Sequence, residues 1–213
     1  MPYRQAWNLQ HKLQQAVLDA KAAHEELPER LLLVEHEPVY TLGFHGDAHN
    51  MLASEQWLQS RGIEVVRIER GGDITFHGPG QMVAYPIIDL ESHGLGVKTY
   101  VALLEQAVID TLAHYSIKAD RVEGATGVWV NVGSKEESKI CAIGVKCSRF
   151  VTMHGLALNV NTDLSFFNAI NPCGFTTKGV TSMQAVLGRP IDMAHVKTTF
   201  TRVFLSLLPD NEP

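Results

Sequence analysis

The sequence predicts an α/β fold of the α+β type, with a mixed, largely antiparallel sheet and helices packed around it. Two observations carry this expectation. Strand-like and helix-like segments follow one another without the regular strand–helix–strand alternation that builds parallel sheets. Three β-rich segments, "GVWVNV", "KICAIGVKCS" and "VTMHGLALNV", are also consecutive, and polar or turn-forming stretches such as "GSKEES" separate them, as in an antiparallel meander.

Taken in order, Leu9, Leu13, Ala16, Val17, Ala20 and Ala23 recur at helical spacing and mark one face of an amphipathic helix over residues 4–25, which Pro28 is expected to end. "RLLLVEHE" reads as a buried strand, "SEQWLQSRG" as a short helix closed by Gly62, and "IEVVRIE" as another strand. "QMVAYPIIDL" is a further strand, and Pro86 inside it predicts an edge or a bulge. Residues 97–115 place apolar side chains at 101, 104, 108, 112 and 115, predicting a long helix against the sheet. After the three-strand meander, "IDMAHVKTTFTRVFLSLL" is the last clear helix. No linker, repeat or shift in composition divides the chain, so residues 1–213 are expected to form a single domain.

With 213 residues, 45% of them hydrophobic, the chain is long enough to bury a substantial core. Its net charge of −5 argues against nonspecific nucleic-acid binding, which needs a basic face. The N-terminus lacks the continuous apolar stretch of a signal peptide, and no run is long enough for a transmembrane helix, so a cytoplasmic protein with no membrane partner is expected. The cysteines, Cys141, Cys147 and Cys173, include no CxxC pair and read as free thiols.

Several segments could carry chemistry. "RGGDITFHGPGQM" concentrates Arg70, Gly71, Gly72, His77 and two further glycines between strands; glycine lets backbone amides approach a ligand closely, and Arg70 and His77 can orient it. A plain glycine-rich hairpin accounts for the same residues. Lys139 at the start of a strand reads by residue type as a solvated edge charge. His154 reads as a satisfied structural histidine, with Gly144 and Gly155 exposing backbone nearby. Cys141 and Cys147 are six positions apart in a β-like stretch and should share a face as small apolar groups. Cys173 lies in "NPCG", whose Asn, Pro and Gly are turn formers, so its thiol is expected on a tight loop. His36, His45, Asp47 and His49 have no regular ligand spacing, and no catalytic metal is expected.

Jointly, "RGGDITFHGPGQMVAYPIIDL", "KICAIGVK", "HGLALNVNTDLSFF" and "INPCGF…KGVTSM" resemble the lipoyl(octanoyl) transferases in order and spacing, from about Arg30 to the final helix. The resemblance implies transfer of an octanoyl group from octanoyl-acyl carrier protein to a lysine of lipoyl domains, on 2-oxoacid dehydrogenase E2 subunits and the glycine cleavage H protein, through a cysteine thioester and without a cofactor. It places the catalytic pair at Cys173 and Lys139. Lys139 is preferred over Lys135 because it alone begins "KI…G". Substrate-binding positions fall on Arg70, Gly71, Gly72, Asp73, Ile74, Thr75, Phe76 and His77, on Ala142, Ile143 and Gly144, and on Gly155, Leu156 and Ala157. The implied fold is similar to that of the biotin and lipoate ligase catalytic domains. An ATP-dependent ligase of that kind is the alternative, since it would share the fold and the strand lysine without needing Cys173. Because both macromolecular partners are expected to be acidic, a local basic surface including Lys146, Arg149 and Lys178 is expected as well.

Overall fold

The computed structural model describes residues 1–25, 29–171 and 179–210. The first helix, α1, spans Tyr3–Ala23 and is closed by His24 in the left-handed conformation, well before Pro28, which lies outside the described residues. Its buried face is not the aliphatic stripe read from the sequence. Tyr3, Ala6, Gln10, Gln14, Val17 and Leu18 face inward, while Leu9 and Ala16 are exposed. Two glutamines face inward because the sheet beneath offers unpaired backbone groups: Gln14 donates to the Val151 carbonyl at 2.9 Å, and Gln10 accepts from the His154 amide at 2.9 Å.

The strands and helices that follow are β1 (Arg30–Val34), β2 (Val39–Leu42), α2 (Glu55–Ser60), β3 (Glu64–Arg67), β4 (Ile74–His77), β5 (Gln81–Ile87), α3 (Val97–Ala113), β6 (Ala119–Val122), β7 (Ala125–Val130), β8 (Ser138–Ser148), β9 (Val151–Asn159), β10 (Gly179–Val180), α4 (Met183–Leu187) and α5 (Met193–Leu207). Ser54, Ser182 and Asp192 cap α2, α4 and α5 by accepting from amides of the first turn. Among the described residues, the larger sheet runs β1-β5-β9-β8-β7-β6, with β10 parallel to the start of β8, and a smaller sheet runs β3-β2-β4. β2 is parallel to β3 and antiparallel to β4, so the fold is mixed and largely antiparallel, as expected.

β7, β8 and β9 form the predicted meander. Arg149 and Phe150, both at positive φ, turn β8 into β9 in the manner of a primed hairpin turn. β5, read as an edge or bulged strand, is interior and buried along its whole length, with β1 on one side and β9 on the other. Pro86 is accommodated because the β5/β9 ladder is interrupted between Ala84 and Asp89, where the Thr152 hydroxyl donates to the Pro86 carbonyl at 2.8 Å. The glycine-rich stretch after Arg70 is not a hairpin: β4 belongs to the small sheet and β5 to the large one.

Alternation along β5 sorts the core into two layers. Met82 and Ala84 join the cluster formed with α3 and α5, around Leu104, Val108, Leu112, Phe200 and Phe204. Val83 and Tyr85 point the other way, to Ala6 of α1 and Ala157 of β9. Cys141 is fully buried in the helical layer, and Cys147 packs against the same cluster, so both thiols share the face expected of them. No described helix is long and apolar enough to cross a membrane.

Candidate active site

The expected substrate-binding segments, with one exception, line a single cavity of about 510 Å³. Arg70, Gly71, Gly72, Asp73, Ile74, Thr75 and His77 approach it from the small sheet and the loop before it; Ala142, Ile143 and Gly144 come from β8, and Gly155, Leu156 and Ala157 from β9. Phe76 is the exception. It turns away from the cavity into a second core, which Ile74 also joins, where its ring stacks on Phe166 at 4.6 Å and meets Tyr40 at 5.3 Å.

Arg70 is buried where the two sheets meet. Its guanidinium donates to the Thr41 carbonyl at 2.8 Å, to the Thr41 hydroxyl at 2.9 Å and to the Gly71 carbonyl at 3.0 Å, while the Gly71 amide donates to Val145 of β8. Asp73 organises the loop outside: its carboxylate accepts from the Asp47 amide at 3.1 Å and from the Asn50 side chain. His45, Asp47 and His49 are exposed there, and His49 pairs with Asp47 rather than with a site. Among the described residues no three His, Cys, Asp or Glu side chains group closely enough to hold a metal ion.

Behind Arg70, burial keeps three histidines neutral. His77 is pushed down to about 3 by desolvation, with His36 and Arg70 adding repulsion; its Nδ1–H donates to Gln81 Oε1 at 2.8 Å. Gln81 in turn donates to Asn159 Oδ1 at 2.9 Å, which anchors it to β9. His36, lowered by burial to about 4, donates from Nδ1 to the Met1 carbonyl at 3.1 Å and accepts from the Tyr85 hydroxyl at 2.8 Å. His154 is lowered to about 3, again chiefly by burial. It is not the satisfied structural histidine read from the sequence. Its φ is 62° within β9, and its Nε2 has no hydrogen-bond partner among the described residues. Tyr3 completes this wall, stacked on His77 at 5.9 Å. Nothing local marks Tyr3, Tyr85, Gln81 or Asn159 as site residues, because α1, β5 and β9 meet only in the folded chain.

Lys139 also lines the cavity, next to a register shift between β7 and β8. Val128 pairs with Cys141 but Trp129 pairs with Lys139, so the β7/β8 register shifts between them. The Lys139 ammonium donates to the Thr126 carbonyl at 3.0 Å and sits 4.7 Å from the Trp129 ring centre, a cation–π contact. The solvated edge charge read from residue type is thus a half-buried cavity residue. Lys135 is exposed in the turn before β8 and does not line the cavity. Cys173 lies outside the described residues. On the far side of that interval, Val180 of β10 pairs in register with Lys139 and lines the cavity. Burial pushes both described thiols up, Cys141 most. Of the expected basic surface, Lys146 is paired with Glu69 at 3.1 Å, Arg149 is in the hairpin turn, and Lys178 lies outside the described residues.

The lipoyl protein ligase A/B catalytic domain family model matches residues 2–205. A protein of Bacteroides fragilis named Octanoyltransferase is 53% identical over 208 residues, covering 98% of this chain and 94% of the relative. One of the same name from Parabacteroides distasonis is 48% identical over 206 residues, covering 96% and 93%. Among solved structures, the bi-partite lipoate protein ligase of Thermoplasma acidophilum shares the fold at a TM-score of 0.72 and 18% identity, covering 96% of this chain and 81% of that one. A lipoate-protein ligase A bound with ATP aligns at a TM-score of 0.67 and 17% identity, covering 87% and 75%. The match therefore extends over the elements that build the cavity as well as the motifs that line it: the chain belongs to the lipoyl protein ligase A/B catalytic domain family and, within it, to the octanoyltransferases.

Proposed function

We propose that this acyltransferase moves an octanoyl group from the carrier thiol of octanoyl-acyl carrier protein to a lysine of a lipoyl domain, through a thioester on Cys173. One observation supports this reading above the others: Lys139 stands on the wall of a cavity of about 510 Å³ whose lining joins apolar side chains and close backbone to a polar group of residues. Val83, Val101, Ile143, Leu156 and Ala157 suit an alkyl tail. Burying its methylenes at ~0.8 kcal/mol each stabilises the bound chain by about 5 kcal/mol. Arg70, His77, Gln81 and Asn159 give the cavity a polar part.

In the first half-reaction the Cys173 thiolate attacks the thioester carbonyl, a new S–C bond forms as the carrier's S–C bond breaks, and the departing carrier thiolate takes a proton from the Lys139 ammonium, which leaves that amine neutral. A free cysteine has a pKa of about 8.5, so an activating cation is needed at neutral pH. An ammonium ~4 Å from a thiolate, at an effective dielectric near 20, favours the anion by about 4 kcal/mol before solvent screening. Lys139 supplies that charge. In the second half-reaction the acceptor lysine amine attacks the Cys173 thioester, the S–C bond breaks, an amide forms, and Lys139 carries away the amine proton. The acyl group arrives activated, so no nucleotide is consumed.

The test is incubation of the enzyme with octanoyl-acyl carrier protein alone, followed by intact mass and peptide mapping. One octanoyl adduct on Cys173, removed by hydroxylamine, is expected. An adduct on Cys141 or Cys147, or pyrophosphate exchange driven by a free fatty acid and ATP, overturns the reading in favour of another nucleophile or of a ligase.

A further inference from the structure

Glu105 is a carboxylate on the apolar face of α3, one residue from Leu104 and on the side that carries Val108 and Leu112 into the core. Helical periodicity assigns that face to aliphatic side chains, and a buried charge there adds little to stability unless it is fully partnered. It is partnered on both oxygens. One accepts from Arg121 Nε at 3.0 Å, and Arg121 is itself fastened along α3 to the Ala102 carbonyl at 2.9 Å and Gln106 Oε1 at 3.0 Å. The other accepts from the Gly127 backbone amide at 3.0 Å.

That amide N–H and the Thr126 carbonyl belong to one planar peptide group. The Thr126 oxygen is the atom to which Lys139 donates, at 3.0 Å. Glu105 and Lys139 therefore grip opposite ends of a single amide. A carboxylate on the N–H shifts electron density toward the oxygen and strengthens it as an acceptor, and the rigid plane fixes where that oxygen lies. The peptide is held close against β8: Gly127 has φ 119°, and a Cβ there would stand 2.5 Å from the Cys141 carbonyl oxygen and 3.4 Å from Lys139 Cε.

We propose that Glu105 is a positioning residue for Lys139, acting through the Thr126–Gly127 peptide to hold the ammonium on the cavity wall. The proposal rests on the reading of Lys139 as the catalytic lysine. Among the described residues Glu105 of α3 faces this amide, Arg121 of β6 faces Glu105, and Cys141 of β8 stands near both Glu105 and Lys139, with its thiol pushed up by burial out of the working range.

The experiment compares wild type, Glu105→Gln, Arg121→Met and Lys139→Met. Two quantities are read in each: the pH dependence of kcat/KM for octanoyl-acyl carrier protein, and the pH dependence of Lys139 labelling by an amine-selective acylating reagent, followed by peptide mass spectrometry. In Glu105→Gln the weaker acceptor favours the ammonium less. The basic limb of the rate profile and the labelling midpoint should both move to lower pH by about half a unit or more. The rate constant should fall about tenfold with donor KM little changed. Arg121→Met, on a half-exposed side chain, removes the cation that neutralises Glu105 and should shift labelling the opposite way, to higher pH; it serves if Glu105→Gln does not fold. Unchanged labelling and an unchanged basic limb in folded variants, with only a lowered Tm, would make Glu105 a structural anchor and overturn the proposal. Full activity in Lys139→Met would instead remove the catalytic reading of Lys139, while the labelling shift would still decide whether Glu105 holds it.

Discussion

Gly144 of β8 and Gly155 of β9 lie directly opposite each other, and a Cβ on either would strike backbone: the Gly71 carbonyl oxygen at 2.7 Å from Gly144, and the Ala84 oxygen at 2.1 Å from Gly155. This bare patch lets the loop carrying Arg70 settle onto the sheet and close one side of the cavity. Glycine here serves close approach rather than an unusual φ.

Gly144→Ala is accordingly expected to displace the Arg70 loop. Transfer activity should fall at least about tenfold, with destabilisation of about 1–3 kcal/mol from overpacking. Steady-state rates and a urea titration on the same preparation check this; wild-type activity would show that the loop position is not needed.

Lys139→Met should abolish transfer, at least about a hundredfold, while the fold is retained, because the charge is lost and the bulk is kept. Lys135→Met, on an exposed turn, should change nothing. Transfer assays of the two variants side by side, with far-UV circular dichroism as the fold control, separate the cavity lysine from its neighbour in sequence.

Phe76→Ala should cost about 3–5 kcal/mol, since it empties a buried ring site. Its partners Phe166, Tyr40 and Phe167 all lie outside the helical core. The folded fraction should bind and transfer octanoyl normally, because Phe76 does not line the cavity. Chemical denaturation and acylation at low temperature test both halves of the statement.

Acidification should weaken the protein through its buried histidines. His36, His77 and His154 are lowered to about 4, 3 and 3, whereas an unfolded histidine titrates near 6.5. Between those values the unfolded chain binds more protons, so unfolding free energy rises with pH through that window and falls as pH drops below about 6.5. Each histidine contributes about 1.4 kcal/mol per pH unit there. Urea midpoints measured from about pH 7 to about pH 5 should fall, and His77→Asn should flatten the slope by one group's share. An unaltered slope would mean that His77 is not held neutral.

Four helices, the β7–β9 meander and nearly every cavity-lining motif segment were legible in the chain, because amphipathic period, turn chemistry and motif spacing are local quantities. Local pattern cannot report which distant element supplies a partner. The inward face of α1 follows Gln10 and Gln14 because β9 offers backbone groups at His154 and Val151, and no count of aliphatic residues in the helix contains that fact. Phe76 lies in the middle of a site motif yet serves the second core, because its ring is taken up by Phe166, Phe167 and Tyr40 from distant elements. Pro86 marked a real irregularity, but β5 is central because β1 and β9 flank it across long stretches of chain. Glu105 was hidden on an apolar helix face, and only the register of β7 against α3 turns that buried charge into a hold on the amide that Lys139 uses. The chemistry-bearing residue types were written in the sequence; their convergence came from long-range packing, where unpaired backbone and buried charge had to find partners across elements far apart in the chain.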